Sequence, residues 1–311
     1  MIISASRRTD IPAHYSQWFM NRIRAGNVCV RNPFNTGQVT CVDLDPSTVD
    51  CIVFWTKDAG PMMEHLPELD RRGYQYCFQF TVTPYDERLE PGIPPKHIIE
   101  DTFIALSKQI GKDKVLWRYD PIILNEELTV DYHKEQFLRL CEKFSPYTNR
   151  VTISFLDLYP RLLEQNLRAA TREEMIQLAE FIGSTARFYG LEAVTCSEAM
   201  DLKRYGIGRG SCIDPKVISK ILGLPVKLVK DPSQRAHCEC YRSVDIGAYN
   251  TCKAECIYCY ATSRVGRVEA QRQGHDENGP LLLGELRNGE VPSKKKGESD
   301  KVMQISMWDK I

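Results

Sequence analysis

Residues 249–261 read YNTCKAECIYCYA. Cys252, Cys256 and Cys259 fall in the spacing C-x3-C-x2-C, and Tyr258 directly precedes the last of them. Three thiolates this close can ligate three corners of a cubane iron–sulfur cluster and leave one iron open. Soft sulfur donors also suit zinc or copper(I). A structural zinc takes four ligands, commonly from two C-x2-C-like pairs. The nearby Cys238-x-Cys240 pair could complete such a set, so the spacing alone leaves iron–sulfur and zinc both open.

More thiols remain once that motif is set aside. Cys196 closes the run VTC, Cys212 lies in GSCID, and Cys238 and Cys240 lie in HCEC. Four thiolates are enough for one complete all-cysteine site. Association with the first motif favours a second 4Fe–4S cluster over zinc there, as an electron relay or a substrate anchor. The opposing reading makes Cys196 and Cys212 buried apolar side chains and gives the pair in HCEC a supporting role. His237 beside the pair reads as a loop residue. Cys29, Cys41, Cys51, Cys77 and Cys141 stand singly, mostly among apolar neighbours, and read as small buried hydrophobes.

The elements that must position these groups alternate along the chain. Short β-rich runs (MIISAS, CIVFWT, YQYCFQFTVT, KVLWRYDP, VTISFLDLY, LEAVTCSE and the weaker PVKLVKD) are separated by longer stretches such as HIIEDTFIALSKQIG, VDYHKEQFLRLCEKF and REEMIQLAEFIGSTARFYG. Apolar residues recur in the latter at three- and four-residue spacings, as on one face of a helix. Repeated alternation of this kind predicts βαβ units and a parallel sheet. The number of units favours a parallel (β/α) barrel, TIM-like, full or partial, over residues 1–261, with a cysteine-rich segment at its C-terminal end. Residues 262–311 read as a polar extension, its lysine run solvated and its leucines docked on the body.

Polar groups gather where the strand runs end. Arg7, Arg8 and Asp10 follow the first run, Lys57 the second, Thr81 and Thr83 the third, Arg118 and Asp120 the fourth, Asp157 the fifth, and Thr195 and Glu198 the sixth. In a barrel these ends converge on one mouth, where active sites lie. Arg7, Arg8, Asp10, Lys57, Arg118, Asp120 and Glu198 are therefore the candidate catalytic residues. An Arg pair followed by Asp can grip a carboxylate or phosphate while the Asp orients a guanidinium, which points to a small, polar, anionic substrate. The alternative is a set of structural ion pairs lining a filled barrel. GIGRG (206–210) lacks the phosphate-binding glycine pattern.

Composition narrows the classes. The 311 residues carry 41 Lys plus Arg and 41 Asp plus Glu, so the formal net charge is zero. That gives no global drive toward nucleic acid or a membrane surface. No apolar run approaches membrane-spanning length and the first residues lack a secretory pattern, so a cytoplasmic protein is expected. In that compartment unpaired cysteines that do not pack are metal ligands or redox groups.

The aromatic residue before the third thiol makes the motif more specific. Cys252, Cys256 and Cys259, with Tyr258, resemble the cluster signature of the radical S-adenosylmethionine (SAM) superfamily, although here the motif follows the strands instead of preceding them. The wider chain resembles the family catalogued as domain of unknown function 1848, through SASRRTDIPAHYSQWF, VRNPFN, DCIVFWTKD, WRYDPIIL, ISFLDLY, CSEAMDL, CIDP and QRAHCECYRSVDIGAYNTCKAECIYCYA. The resemblance implies a 4Fe–4S cluster on Cys252, Cys256 and Cys259, SAM bound at the open iron with Tyr258 along its adenine, and an electron donor such as ferredoxin or flavodoxin. Two rival readings are a zinc- or cluster-stabilised binding protein without catalysis, and a DNA-lesion repair enzyme resembling spore photoproduct lyase. The last has little support, because no element concentrates basic residues.

Overall fold

The computed structural model of the chain describes residues 1–159, 162, 167–235, 237–262 and 274–302. The strands are β1 (Ile2–Ala5), β2 (Asn27–Arg31), β3 (Val39–Asp43), β4 (Cys51–Thr56), β5 (Tyr76–Thr81), β6 (Val115–Ile122), β7 (Arg150–Phe155), β8 (Glu192–Cys196), β9 (Gly208–Gly210), β10 (Val244–Asp245) and β11 (Ser293–Lys295). The helices are α1 (Ile11–His14), α2 (Ser16–Ala25), α3 (Gly60–Met63), α4 (Leu66–Arg71), α5 (Lys96–Ile110), α6 (Val130–Phe144), α7 (Arg172–Phe188) and α8 (Pro215–Leu222).

Eight strands form one sheet in the order β10-β1-β4-β5-β6-β7-β8-β9, and every pairing in it is parallel. The outer strands β9 and β10 do not pair with each other among the described residues, so the sheet stands as an open order of eight. The expected α/β class with a large parallel sheet holds.

Side chains alternate between the two faces, as the pleat requires. Phe54, Phe78, Phe80, Trp117, Tyr119 and Ile153 point to the face covered by α2, α5, α6 and α7, where they meet Phe19, Phe103, Phe137 and Ile182 in one core. Phe19 sits edge-on to Phe54 and Phe137 stacks on Trp117. The other face carries Ile2, Cys51, Val53 and Cys77, covered by Ile213 and by Ile218 of α8. Nearer the C-terminal ends this second face turns polar, with Ser4, Trp55, Gln79 and Arg118 linked to one another or to the chain above them.

The three long helices follow the expected stretches. Thr171 opens α7 with a capping box closed by Glu174, and Thr129 caps α6, which is why both helices start where they do. Other expectations fail. PVKLVKD forms only isolated bridges at Val226 and Lys230. GIGRG supplies the short edge strand β9, where a Cβ on Gly210 would lie 2.7 Å from Val194 Cβ. The lysine run is exposed as expected, but it also forms structure, since Ser293–Lys295 adds a strand parallel to β3.

The β2–β3 hairpin escaped the sequence reading, because it is short and its outward residues are polar. It also corrects the reading of Cys29 and Cys41, which are joined by a disulfide across directly opposed positions. Leu281 and Leu282 are buried, Leu281 beside Cys29 and Val39. Residues 263–273 and 303–311 of the polar extension lie outside the described residues. No helix among the described residues is long and apolar enough to cross a membrane.

Candidate functional site

The motif cysteines sit on one closed loop. Asn250 N–H donates to Ala261 O at 2.9 Å and ties the neck. Asn250 and Glu255 adopt positive φ (62° and 50°), which curls the chain back between Cys252 and Cys256. Glu255 has no glycine-like freedom, so the surrounding contacts must hold it there. Those contacts are on the page: Gly92 N–H donates to Ala254 O at 3.0 Å, Ile257 N–H to Leu89 O at 3.1 Å, and Tyr15 Oη to Thr251 O at 2.6 Å. Gly92 permits the approach, because a Cβ there would lie 2.3 Å from Lys253 O.

Cys259 N–H donates to Cys256 O at 3.0 Å, which holds these two cysteines on one turn. Burial pushes the Cys252 thiol up to about 12 and the Cys256 thiol well above its ordinary value, the latter against the pull of Lys57. The Ala261 N–H lies 3.4 Å from Cys259 Sγ.

Tyr258 is buried rather than presented to solvent. Its ring stands edge-on to Tyr85, and its hydroxyl donates to Glu90. Glu90 is the hub that sequence reasoning missed. It also accepts from Lys57 Nζ at 2.8 Å, from Thr83 Oγ1 at 2.7 Å, and from Lys96 Nζ. Burial opposes its charge, yet Lys57 and Lys96 overrule burial and hold the carboxyl at about 2.

Arg7, Arg8 and Asp10 follow β1, Lys57 follows β4 and Glu198 follows β8, whereas Arg118 and Asp120, expected after their strand, lie within β6. Those strands are parallel, so the residues share one edge of the sheet. Their partners differ from the expectation. Asp10 does not orient the arginines; its carboxylate caps α1 through Ala13 N–H at 3.0 Å and accepts from Lys57 N–H at 2.7 Å. Burial pushes it up to about 7.

Arg7 and Arg8 instead share Asp245, each with Nε at 3.9 Å from it. Asp245 also takes Arg7 N–H at 2.8 Å and the hydroxyls of Ser4 and Ser6. Arg118 pairs with Asp120, whose other oxygen accepts from Ser154 Oγ. Glu198 accepts Phe155 N–H at 2.7 Å, and burial, beside Asp157 and Asp120, raises it to about 7. Asp157 pairs with Arg235 at the rim.

The second set of thiols is brought together. Cys212, Cys238 and Cys240 are buried in one group, with Cys196 and Trp55 packed against it. Cys196 and Cys212 have Sγ atoms 3.4 Å apart, and Cys212 N–H points at Cys240 Sγ from 3.3 Å. Arg118 Nη1 donates to Cys212 Sγ at 2.8 Å. His237 is exposed. Among the described residues no three His, Cys, Asp or Glu side chains already surround a single ion position. A cleft of about 650 Å³ opens beside the motif loop, lined by Leu89, Leu128, Tyr132 and Ile257 among others.

Residues 2–261 match the family described as Domain of unknown function (DUF1848). The chain belongs to this family. None of the curated proteins matches. Among solved structures, a putative alpha-L-fucosidase from Bacteroides thetaiotaomicron VPI-5482 is similar at 12% identity. That likeness covers 58% of this chain and 75% of the other, with a TM-score of 0.26, too slight to carry an argument about fold or chemistry.

Proposed function

We propose that this DUF1848 chain is a radical SAM-like enzyme acting on a small, polar, anionic substrate, with a 4Fe–4S cluster held by Cys252, Cys256 and Cys259. The carrying observation is the loop itself: three thiols on a tightly closed turn, docked against Gly92 and Leu89 at the edge where the parallel strands end. The fit to a cluster is of donor type and placement. Ligands on three corners of a cubane need not surround one ion, so the lack of a ready-formed single-ion site does not bear on it. When bound, such a cluster supplies one electron for reductive cleavage of SAM, whose adenosyl fragment then takes a hydrogen atom from the substrate.

The chain's own residues prepare that edge. Two guanidiniums, Arg7 and Arg8, share one carboxylate, and two ammonium groups, Lys57 and Lys96, share another. Each group carries one positive charge beyond its carboxylate, which favours thiolate-borne negative charge and an anionic occupant such as SAM's carboxylate. Arg118 and Asp120 balance each other and line the face below. Tyr258 anchors the loop through Glu90, so the adenine contact falls to the backbone of the motif rather than to a free ring. We read the open sheet as a partial (β/α) barrel whose mouth is this edge, and the protein as cytoplasmic with a ferredoxin- or flavodoxin-type donor.

Anaerobic purification followed by iron, sulfide and paramagnetic resonance analysis tests the reading. The reduced protein is expected to show a 4Fe–4S signal that changes when SAM is added. Replacing Cys252, Cys256 and Cys259 together by Ala is expected to abolish that response. A SAM-sensitive signal that survives the triple change would remove the assignment.

A further inference from the structure

We infer that Cys196, Cys212, Cys238 and Cys240 form a tetrathiolate site for a single zinc-class ion on the inner face of the sheet. This does not rest on the iron–sulfur reading of the motif loop. The four thiols come from three chain segments that the fold itself brings together. Cys196 is the last residue of β8 and is paired in register with Gly210 of β9, so Cys212, two residues further on, returns beside it. The third segment is tied back by Tyr241 N–H to Ile213 O at 3.3 Å, next to Cys240.

The spacing of the sulfurs chooses the ion. A tetrahedral zinc with bonds of about 2.3 Å sets its thiolates about 3.8 Å apart. The Cys196 and Cys212 sulfurs already stand 3.4 Å apart. Thiolates on a cubane sit on separate irons at separate corners, and so stand much farther from one another. The contact distance therefore speaks against the second 4Fe–4S cluster expected from the sequence. No three of these thiols yet surround one ion position, so side-chain rotation completes the tetrahedron.

The surroundings are built as outer contacts of such a site. Four thiolates around a divalent ion carry two net negative charges, and a guanidinium meets them. Arg118 donates to Cys212 Sγ at 2.8 Å, while Arg7 donates to Ser243 Oγ at 3.0 Å, three residues beyond Cys240. Both guanidiniums lie over the Trp55 ring, at 5.3 and 5.8 Å from its centroid. Gln79 fixes the peptide of Cys212 by donating to its carbonyl at 2.9 Å, and accepts from Arg118. Groups that orient ligands from outside in this way set metal affinity as much as the ligands do. Zinc here joins the late segment 238–240 to β8 and β9, which closes the inner face under Trp55.

The test uses the full chain with Cys252, Cys256 and Cys259 replaced by Ala, so that the motif thiols are absent; Cys51, Cys77 and Cys141 remain and are buried. Purified aerobically, it is expected to hold roughly one zinc per chain, as a closed four-ligand site does. Exchange with cobalt(II) is expected to give thiolate-to-metal charge-transfer absorption and tetrahedral d–d bands, and Cys240→Ser in the same background is expected to lose both. Iron with acid-labile sulfide in place of zinc after anaerobic purification would overturn the choice of ion. No bound metal, or a cobalt spectrum unchanged by Cys240→Ser, would overturn the site. The cobalt spectrum needs no four-cysteine variant, so a misfolded variant cannot decide the matter. A failure of the SAM response in the unmutated chain leaves these readings untouched.

Discussion

Lys57 Nζ stands 2.8 Å from Oε1 of Glu90, and the same carboxylate takes the hydroxyl of Tyr258 and the Nζ of Lys96. One buried anion thus binds the end of β4, the start of α5 and the motif loop. Removing its charge would strand two partly buried ammonium groups, a change whose upper range is about 3–5 kcal/mol, as in fully buried pairs. Glu90→Gln is therefore expected to lower unfolding stability by up to that amount in urea titration and to reduce cluster loading. The carboxyl lies at about 2, below its unfolded value, so its stabilisation is present above roughly pH 4.3 and fades as pH falls toward 2. A Glu90→Gln chain as stable as the parent would show that the network is incidental.

Gly92 gives a test that spares every ligand. A Cβ there would come within 2.3 Å of Lys253 O and 2.8 Å of Ala254 Cα, both backbone atoms of the motif loop. Gly92→Ala is expected to push the loop off its seat, costing about 1–3 kcal/mol as overpacking does, and to cut iron content. Gly37→Ala is the control, because its Cβ meets only the Asn35 side chain at 3.5 Å. Equal iron content in the two variants would mean that the loop does not depend on this approach.

Asp245 carries the third prediction. It receives Arg7 N–H, two serine hydroxyls and Gly247 N–H, and both guanidiniums of the arginine pair lean on it. Asp245→Asn keeps the shape and removes the charge. Loss of charge-assisted bonds at a partly buried site is expected to cost about 1.5–3 kcal/mol. Iron on the motif loop should remain, because the hydrogen bonds of Asp245 go to Ser4, Ser6, Arg7 and Gly247 and to no motif cysteine, while SAM affinity falls as Arg7 and Arg8 lose their shared anchor. Calorimetric titration with SAM measures this; unchanged affinity would detach the arginines from SAM binding.

The residues that could be read from the sequence are the ones whose signal is local. The C-x3-C-x2-C spacing, the helical periodicity of α5, α6 and α7, and the polar residues ending apolar strands all lie within a few positions of one another. Glu90 and Asp245 were missed for a matching reason. Glu90 has two near partners, Thr83 and Lys96, but the two that tie it to the site, Lys57 and Tyr258, lie 33 and 168 residues away, and Ser4 lies 241 residues from Asp245. Asp245 sits on a two-residue strand that exists only because β1 pairs with it. Asp10 was read as the partner of the arginines beside it in sequence, but its position at the start of α1 turns its carboxylate to the helix N-terminus. The four-thiol group was legible as a list, while its contact geometry required the register of β8 and β9.

His133 supplies the last prediction. It is fully buried on α6, with Nδ1 2.7 Å from Tyr119 Oη and Nε2 2.8 Å from Ile123 O. Nε2–H therefore donates to the carbonyl, and Nδ1 accepts from the phenol. Burial, with no carboxylate in contact, lowers the imidazole to about 4. The unfolded chain takes up this proton near pH 6.5, whereas the folded chain resists until about 4, so stability falls as pH drops through that window. The loss is on the order of 3 kcal/mol at 1.36 kcal/mol per unit. Asp10 and Glu198, raised to about 7, act in the opposite direction over the same range and mask part of it in the parent. The difference between the parent and His133→Gln cancels them. The variant is expected to be less stable at pH 7, since Tyr119 loses its acceptor, yet to lose less further stability between pH 6.5 and 4. Parallel melting curves for both chains across that window would refute the assignment of a neutral, buried His133.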